Sequence, residues 1–165
     1  MVVMLESVLH LLIPAHVDTF AKLRGGDPYH FDHWETDPSG SKNLKYWFWN
    51  RKKSNKNRKR APVSEIRIAL GHVRNAGVFK QETYQAICPV ASADGPCGFA
   101  VIGRTFEALS VARYAGHGAG FRLINADEAT RLLEPAHNPG PHQIEEALAN
   151  YLARWLEEHE RQGSA

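Results

Sequence analysis

A run of four consecutive aromatic side chains limits the folds open to this chain more than any other feature of its sequence: Tyr46, Trp47, Phe48 and Trp49. Aromatic residues favour β-strands, and successive side chains of a strand lie on opposite faces of the sheet. Residues 44–49 therefore predict a strand with at least one buried face. The wholly polar residues 51–59 that follow predict a hairpin loop or tip, from which residues 62–63 lead back.

The same part of the chain concentrates the positive charge. Residues 42–60 hold nine basic residues and no acid, so this segment carries a charge of +9. The rest of the chain has 11 basic and 18 acidic residues and carries −7. A cationic segment on an otherwise acidic body indicates a polyanionic partner. Because lysine and arginine neutralise phosphates and release counterions, the segment predicts contact with nucleic acid, DNA rather than RNA. The residues predicted to bind it are Lys42, Lys45, Arg51, Lys52, Lys53, Lys56, Arg58, Lys59 and Arg60.

Two alternatives stay open for this region. The rings of Tyr46, Trp47 and Trp49 stack on unpaired bases if they face outward, and they belong to the core if they face inward. The cations bind an acidic protein, as in an inhibitor or an adaptor, if nucleic acid is not the partner.

Length and composition favour one compact domain. The chain has 165 residues, of which 43% are hydrophobic and 23% are charged, close to the averages of folded proteins. No apolar run approaches the roughly 18–20 residues of a membrane span, and residues 2–13 are interrupted by Glu6 and His10. The start of the chain also lacks the pattern of a secretory signal. We therefore expect a cytoplasmic protein with no membrane partner.

Helical periodicity recurs along the rest of the chain. Ser64 is predicted to cap a helix that stops at residues 75–77, and Asn125 with Glu128 is predicted to open a short helix as a capping box. Residues 27–40, which are rich in turn formers, predict an ordered loop or short strand. The other predicted helices are residues 2–12, 15–23, 79–88 (ended by Pro89), 99–109 and 141–160.

The predicted C-terminal helix over residues 141–160 is amphipathic. It starts on a proline and carries one apolar stripe, with acids concentrated outside it. That stripe packs against the rest of the chain or forms a homodimer. Its residues are Ile144, Leu148, Leu152 and Trp155.

Residues 64–124 resemble a winged helix-turn-helix domain. Three predicted helices precede a predicted hairpin, whose glycine-rich tip over residues 115–120 leads into the sequence Phe121-Arg122-Leu123. In this family the third helix enters the major groove and the hairpin contacts the DNA backbone. The resemblance therefore implies DNA contacts by Arg104 on the helix and by Arg113 and Arg122 on the hairpin.

A shorter segment contains the sequences Asp32-His33, Asn43-Leu44 and Asn50-Arg51-Lys52-Lys53. This pattern is similar to the HNH nuclease motif, and it is the alternative that would make the protein an enzyme. The resemblance implies that His33 is the general base, Asp32 a metal ligand and Asn43 the group that orients the histidine, with Asn50 or Asn55 in the last position. A divalent metal is expected only under this alternative, and no other cofactor is expected.

The two cysteines are predicted to be buried free thiols. Cys88 and Cys97 lie nine positions apart, and the expected compartment disfavours disulfides. A zinc site that also uses His30 and His33 is the alternative, although the spacing matches no common structural zinc pattern.

Together these observations predict a single α+β domain that is mainly helical. It combines an N-terminal unit over residues 1–63, which includes a small aromatic β-hairpin, with a winged-helix-like middle over residues 64–134 and a C-terminal amphipathic helix over residues 141–161. The predicted function is non-enzymatic nucleic-acid binding in a regulatory or accessory role. The alternatives are an HNH-like metal-dependent nuclease and a protein-interaction module for an acidic partner.

Overall fold

The computed structural model describes residues 4–134 and 141–163, and its fold confirms the predicted α+β class. Within these ranges the helices are α1 (Met4–Leu12), α2 (Val63–Ala76), α3 (Gln81–Ile87), α4 (Pro89–Ala93), α5 (Cys97–Ala108), α6 (Ala126–Leu133) and α7 (Pro141–Gly163). The strands are β1 (Thr19–Phe20), β2 (Tyr29–Thr36), β3 (Lys42–Asn50), β4 (Asn55–Pro62), β5 (Val78–Phe79), β6 (Ala112–Tyr114) and β7 (Phe121–Leu123).

The first four strands form an antiparallel sheet in chain order, β1-β2-β3-β4. The predicted strand over residues 44–49 is confirmed, because it lies within β3. Leu44 and Tyr46 of β3 and Phe20 of β1 are buried on the inner face of this sheet, which contacts α5 through β1 and β4. The apolar residues of the aromatic run thus hold the sheet on the body of the protein.

The predicted loop over residues 51–59 is wrong in extent. The turn takes only residues 51–54, and β4 follows it. Asn50 closes the turn, because its Oδ1 accepts hydrogen bonds from the backbone N–H groups of Lys52 and Lys53 at 3.1 and 3.2 Å. The polar residues after the turn then pair with β3 along its length. Their backbone hydrogen bonds with β3 do not require apolar side chains, because β4 is an edge strand.

The predicted helix over residues 15–23 is also wrong. Thr19 and Phe20 form β1 and pair with His30 and Tyr29 of β2. Burial of the Phe20 ring under the sheet overrides the local helical pattern, which is a weak signal over so short a segment. The ordered segment expected before the aromatic run is the eight-residue strand β2.

The middle of the chain follows the predicted element order, except that β5 and α4 are additional elements and that two predicted helix boundaries need correction. Gly77 ends α2 in the left-handed conformation, at φ 80°, and α5 and the β6–β7 hairpin lie where they were predicted. The second sheet has the order β5-β7-β6. However, α2 already begins at Val63, so Ser64 lies within its first turn and is not the cap. Pro89 does end the helix predicted over residues 79–88, but it also begins α4, where a missing N–H is tolerated.

The C-terminal part packs against its own chain. The side-chain oxygen of Asn125 accepts a hydrogen bond from the backbone N–H of Glu128 at 3.1 Å, as predicted for the start of α6. On α7, Tyr151 and Trp155 are buried, and the Trp155 indole N–H donates to the Ala108 carbonyl at 2.8 Å. One cluster of buried side chains includes residues of α1, both sheets and α7. None of the described helices is both long and apolar enough to cross a membrane.

Candidate nucleic-acid interface

Strand alternation divides the aromatic run between the two faces of the first sheet. Leu44 and Tyr46 are buried on the inner face, so the residues between and after them, Lys45, Trp47 and Trp49, lie on the opposite face. We call this opposite side the outer face. The aromatic run is therefore divided, since Tyr46 belongs to the core and the two tryptophans face outward.

Strand β4 brings three cations to the outer face. In the β3–β4 register Arg60 lies opposite Lys45, Arg58 opposite Trp47 and Lys56 opposite Trp49. Alternate residues of a strand are roughly 6.6 Å apart along one face. The three β4 cations therefore form a row beside the two tryptophans. We define the outer face by eight residues: His30, His33, Lys45, Trp47, Trp49, Lys56, Arg58 and Arg60.

Strand β2 completes the outer face with two histidines. His30 lies opposite Trp47, and their rings stack with centroids 4.3 Å apart and an interplanar angle of 18°. The Lys56 ammonium lies 4.3 Å from the centroid of the Trp47 ring, a cation–π contact. Trp47 is therefore held between a histidine and a lysine, and it fixes the position of that lysine. His33 lies opposite Lys45 and is more than half exposed, at 55%.

Trp49 differs from Trp47 because its ring is free. Its exposed fraction is 47%, and within the described chain no aromatic ring stacks on it and no cation lies over its face. It lies near the end of β3, one residue before the Asn50 side chain that closes the β3–β4 turn. The turn cations Lys52 and Lys53 are exposed, so the open indole lies beside the most cationic end of the sheet.

Acidic side chains from neighbouring elements neutralise part of the cationic segment. Four cations of residues 42–60 form ion pairs and five do not, within the described chain, so the nine cations and four acids leave an excess of five positive charges. Exposed pairs of this kind are weak and are easily exchanged for phosphate. The pairs are Lys45–Glu35 (3.9 Å), Arg51–Asp27 (3.3 Å), Arg58–Asp32 (3.4 Å) and Arg60–Asp94 (3.9 Å).

The remaining predicted cations of the segment lie around the outer face and not on it. Lys59 pairs in register with the buried Tyr46, so strand alternation directs it to the inner side. Lys42 lies at the start of β3, where its ammonium donates to the Thr36 hydroxyl at 2.7 Å. Arg51 lies in the turn beside Lys52 and Lys53.

The cations predicted from the winged-helix resemblance lie elsewhere. Arg104 is only 20% exposed, and its guanidinium donates to the Ala21 carbonyl at 3.0 Å and to Glu107 at 2.7 Å. Most of the α5 side chains are buried, so this helix has no open face to place in a major groove. Arg113 and Arg122 face each other across the β6–β7 hairpin and are exposed, but they belong to the second sheet.

The residues of the nuclease motif are only partly brought together. His33 Nδ1 lies 3.5 Å from Asp32 Oδ2, and that oxygen also lies 3.4 Å from Arg58 Nε. Asn43 is 2% exposed and donates to Glu35 at 3.2 Å, so it does not orient His33.

The expected last position of the motif does not lie on a helix. Asn50 closes a turn and Asn55 begins a strand. No cluster of three metal-ligating side chains is found in residues 4–134 or the described part of α7.

The cysteines and histidines of the zinc alternative lie in different places. Cys88 is buried and free, and its thiol lies 3.8 Å from the Glu65 carbonyl oxygen. Burial raises the pKa of Cys88 to about 12, with the Glu65 carboxylate adding to the effect. Cys97 is half-buried and lies near the inner-face residue Tyr29, whereas His30 stacks on the outer face. The prediction of buried free thiols is therefore confirmed for Cys88, whereas Cys97 is free but only half-buried.

The sequence matches no protein-family model, and no curated protein or solved structure is significantly similar to it. The functional argument therefore rests on the geometry of this chain.

Proposed function

We propose that this protein binds nucleic acid through the outer face of its first sheet, in a regulatory or accessory role and without catalysing a reaction. The observation that carries the proposal is the joint position of the cations and the aromatic rings. The β3–β4 register places Lys45, Lys56, Arg58 and Arg60 around Trp47 and Trp49 on one side of one sheet. Groups with affinity for phosphates and groups with affinity for bases thus share a surface.

The charge on this surface suits a polyanion better than an ordinary protein partner. Of the cations of residues 42–60 that form no ion pair within the described chain, Lys56 lies on the outer face and Lys52 and Lys53 lie in the adjoining turn, while the rest of the sequence carries −7. The acidic body repels phosphates, so a polyanion is directed to the cationic segment. Binding of this kind weakens steeply with added salt.

As part of the same proposal, the middle of the chain is a winged-helix-like scaffold that does not read bases itself. The element order from α2 to β7 and the sheet order β5-β7-β6 support this reading. The burial of α5 is the reason to assign base contacts to the first sheet. A cytoplasmic location is part of the proposal.

The proposal is tested by fluorescence-anisotropy titration of labelled DNA and RNA between about 50 and 200 mM salt. The test variant is Lys52→Gln/Lys53→Gln/Lys56→Gln, which removes three cations that form no ion pair in the described chain. Each phosphate contact contributes roughly 0.7–0.9 to the slope of log K against log salt, so we expect the slope to fall by about 2–3.

The matched control is Arg113→Gln/Arg122→Gln on the second sheet. It also removes exposed cations, and we expect it to change the slope by less than about 0.5. Equal effects per removed cation in the two variants would contradict the assignment to the outer face and its adjoining turn. Failure of the parent protein to bind at the lower salt concentration would contradict nucleic-acid binding altogether and favour an acidic protein partner.

The non-enzymatic part of the proposal is tested with the same probes. We expect them to stay intact on a gel after incubation with Mg²⁺ or Mn²⁺. Metal-dependent cleavage that disappears in His33→Ala would overturn this part and favour the nuclease alternative.

A further inference from the structure

We infer that the outer face takes single-stranded nucleic acid, with one unpaired base stacked on the indole of Trp49. This inference rests on the proposed function and names its substrate class. It depends on three features of the sheet: the free ring of Trp49, the occupied ring of Trp47, and the cations beside them.

Of the two outer-face indoles, Trp49 is the one that has no stacking or cation–π partner in the described chain. His30 stacks on Trp47 at 4.3 Å, and the Lys56 ammonium also lies 4.3 Å from the Trp47 centroid, so that ring already has partners. Trp49 is 47% exposed and has no such partner in the described chain. A base therefore stacks on Trp49 without displacing an existing contact.

The cations near Trp49 supply the phosphate contacts that a stacked nucleotide needs. Lys56 lies directly across the strand pair from Trp49, and its contact with Trp47 limits where its ammonium points. Lys52 and Lys53 follow in the turn. None of these three lysines is paired with an acid in the described ranges, so their charges are available to a backbone that passes the indole.

The form of the surface selects single strands. Stacking requires an open base face, and in a duplex both faces of each internal base are covered by its neighbours. An exposed tryptophan flanked by cations matches the way single strands are bound without strong sequence preference.

The inference is tested with Trp49→Ala in anisotropy titrations against three probes: oligothymidine and oligouridine of roughly 12 nucleotides, and a DNA duplex of matched length. We expect affinity for at least one single strand to fall about 10- to 100-fold, because the stacking contact is lost. Duplex affinity and the salt slope should stay unchanged. Trp49→Phe should recover part of the loss, since phenylalanine also stacks. The two single-stranded probes show whether the sugar matters.

Ile68→Ala is the control variant. Ile68 is 50% exposed on α2, so this substitution also removes an exposed apolar side chain, and we expect no change in binding. If Trp49→Ala leaves every affinity unchanged, or lowers the affinities for single strands and duplex equally, the inference that a base stacks on Trp49 is wrong. Salt-dependent binding that persists in that result would still uphold the proposed function. Absence of binding by the parent protein would overturn both.

Discussion

At the scale of single residues, Glu65 is the buried charge with the clearest structural role. It lies on α2 and is 5% exposed, and its carboxylate accepts hydrogen bonds from the backbone N–H groups of Val90 and Ala91 at 2.9 and 2.8 Å. Those groups belong to the first turn of α4, where no carbonyl of the same helix is available to them. Glu65 thus joins α2 to α4 beneath the first sheet.

We expect Glu65→Ala to lower the free energy of unfolding by about 2–3 kcal/mol, because two buried N–H groups lose a charged acceptor. Urea unfolding measures this change. Glu82→Ala is the control, since Glu82 is exposed in the first turn of α3, and it should cost no more than about 0.5 kcal/mol. Similar losses in the two variants would show that the Glu65 contacts are not specific.

At the scale of elements, the approach of α5 to the second sheet depends on a glycine. A Cβ placed at Gly103 would overlap the ring of Phe121 on β7. Phe121 is fully buried, so its ring has little room to move aside. Gly71 on α2 is the opposite case, because nothing lies within 4 Å of the position of its Cβ.

Substitution of these two helical glycines by alanine should change the stability of the protein in opposite directions. Gly103→Ala should destabilise the protein by about 1–3 kcal/mol through overpacking. Gly71→Ala should stabilise it by about 0.4–1 kcal/mol, because alanine restricts the unfolded chain and fits the helix. Thermal and urea unfolding of both variants checks the pair, and a stable Gly103→Ala protein would show that α5 and β7 can separate at little cost.

How far the sequence predicts an element depends on whether its own side chains are buried. β3 could be predicted because Leu44 and Tyr46 alternate with outward residues. β4 could not, because residues 51–59 contain no apolar side chain and the strand is specified by pairing with β3. The residues of the outer face cannot be predicted without the β3–β4 register, since only the register shows that Lys59 lies with Tyr46 on the inner side.

His30 is the site residue that sequence reasoning missed. The sequence suggests it only as a zinc ligand, because its stacking on Trp47 depends on pairing between β2 and β3. The available signal is the alternation of side chains along an assumed β2–β3 hairpin, which would place His30 and Trp47 on the same face.

At the scale of the whole molecule, the core contains several weak acids that must remain neutral. Burial raises the pKa of Tyr46, Tyr84 and Tyr151 above their ordinary value of 10.0. Burial also raises the pKa of Cys88 from 9.0 to about 12. On raising the pH, the unfolded chain therefore loses these protons before the folded chain does, so the folded state loses stability.

We expect the urea midpoint to be constant up to a pH of about 8 and then to fall steadily toward a pH of about 12. Cys88 is the first of these groups to contribute, because its ordinary pKa of 9.0 is the lowest among them. The Cys88→Ala variant should accordingly show a smaller fall than the parent between pH values of about 8 and 10. An equal fall in both proteins would contradict the role of the thiol.

The position of β4 has a consequence for how molecules of this protein meet one another. It is an edge strand of its sheet, and the unpaired backbone groups of an edge strand can form hydrogen bonds with a strand of another chain. The lysine and arginine side chains that face a polyanion also repel the equivalent strand of a second molecule. Affinity for phosphate and resistance to aggregation therefore come from the same charges, and a ligand that neutralises them also removes the repulsion between the two strands.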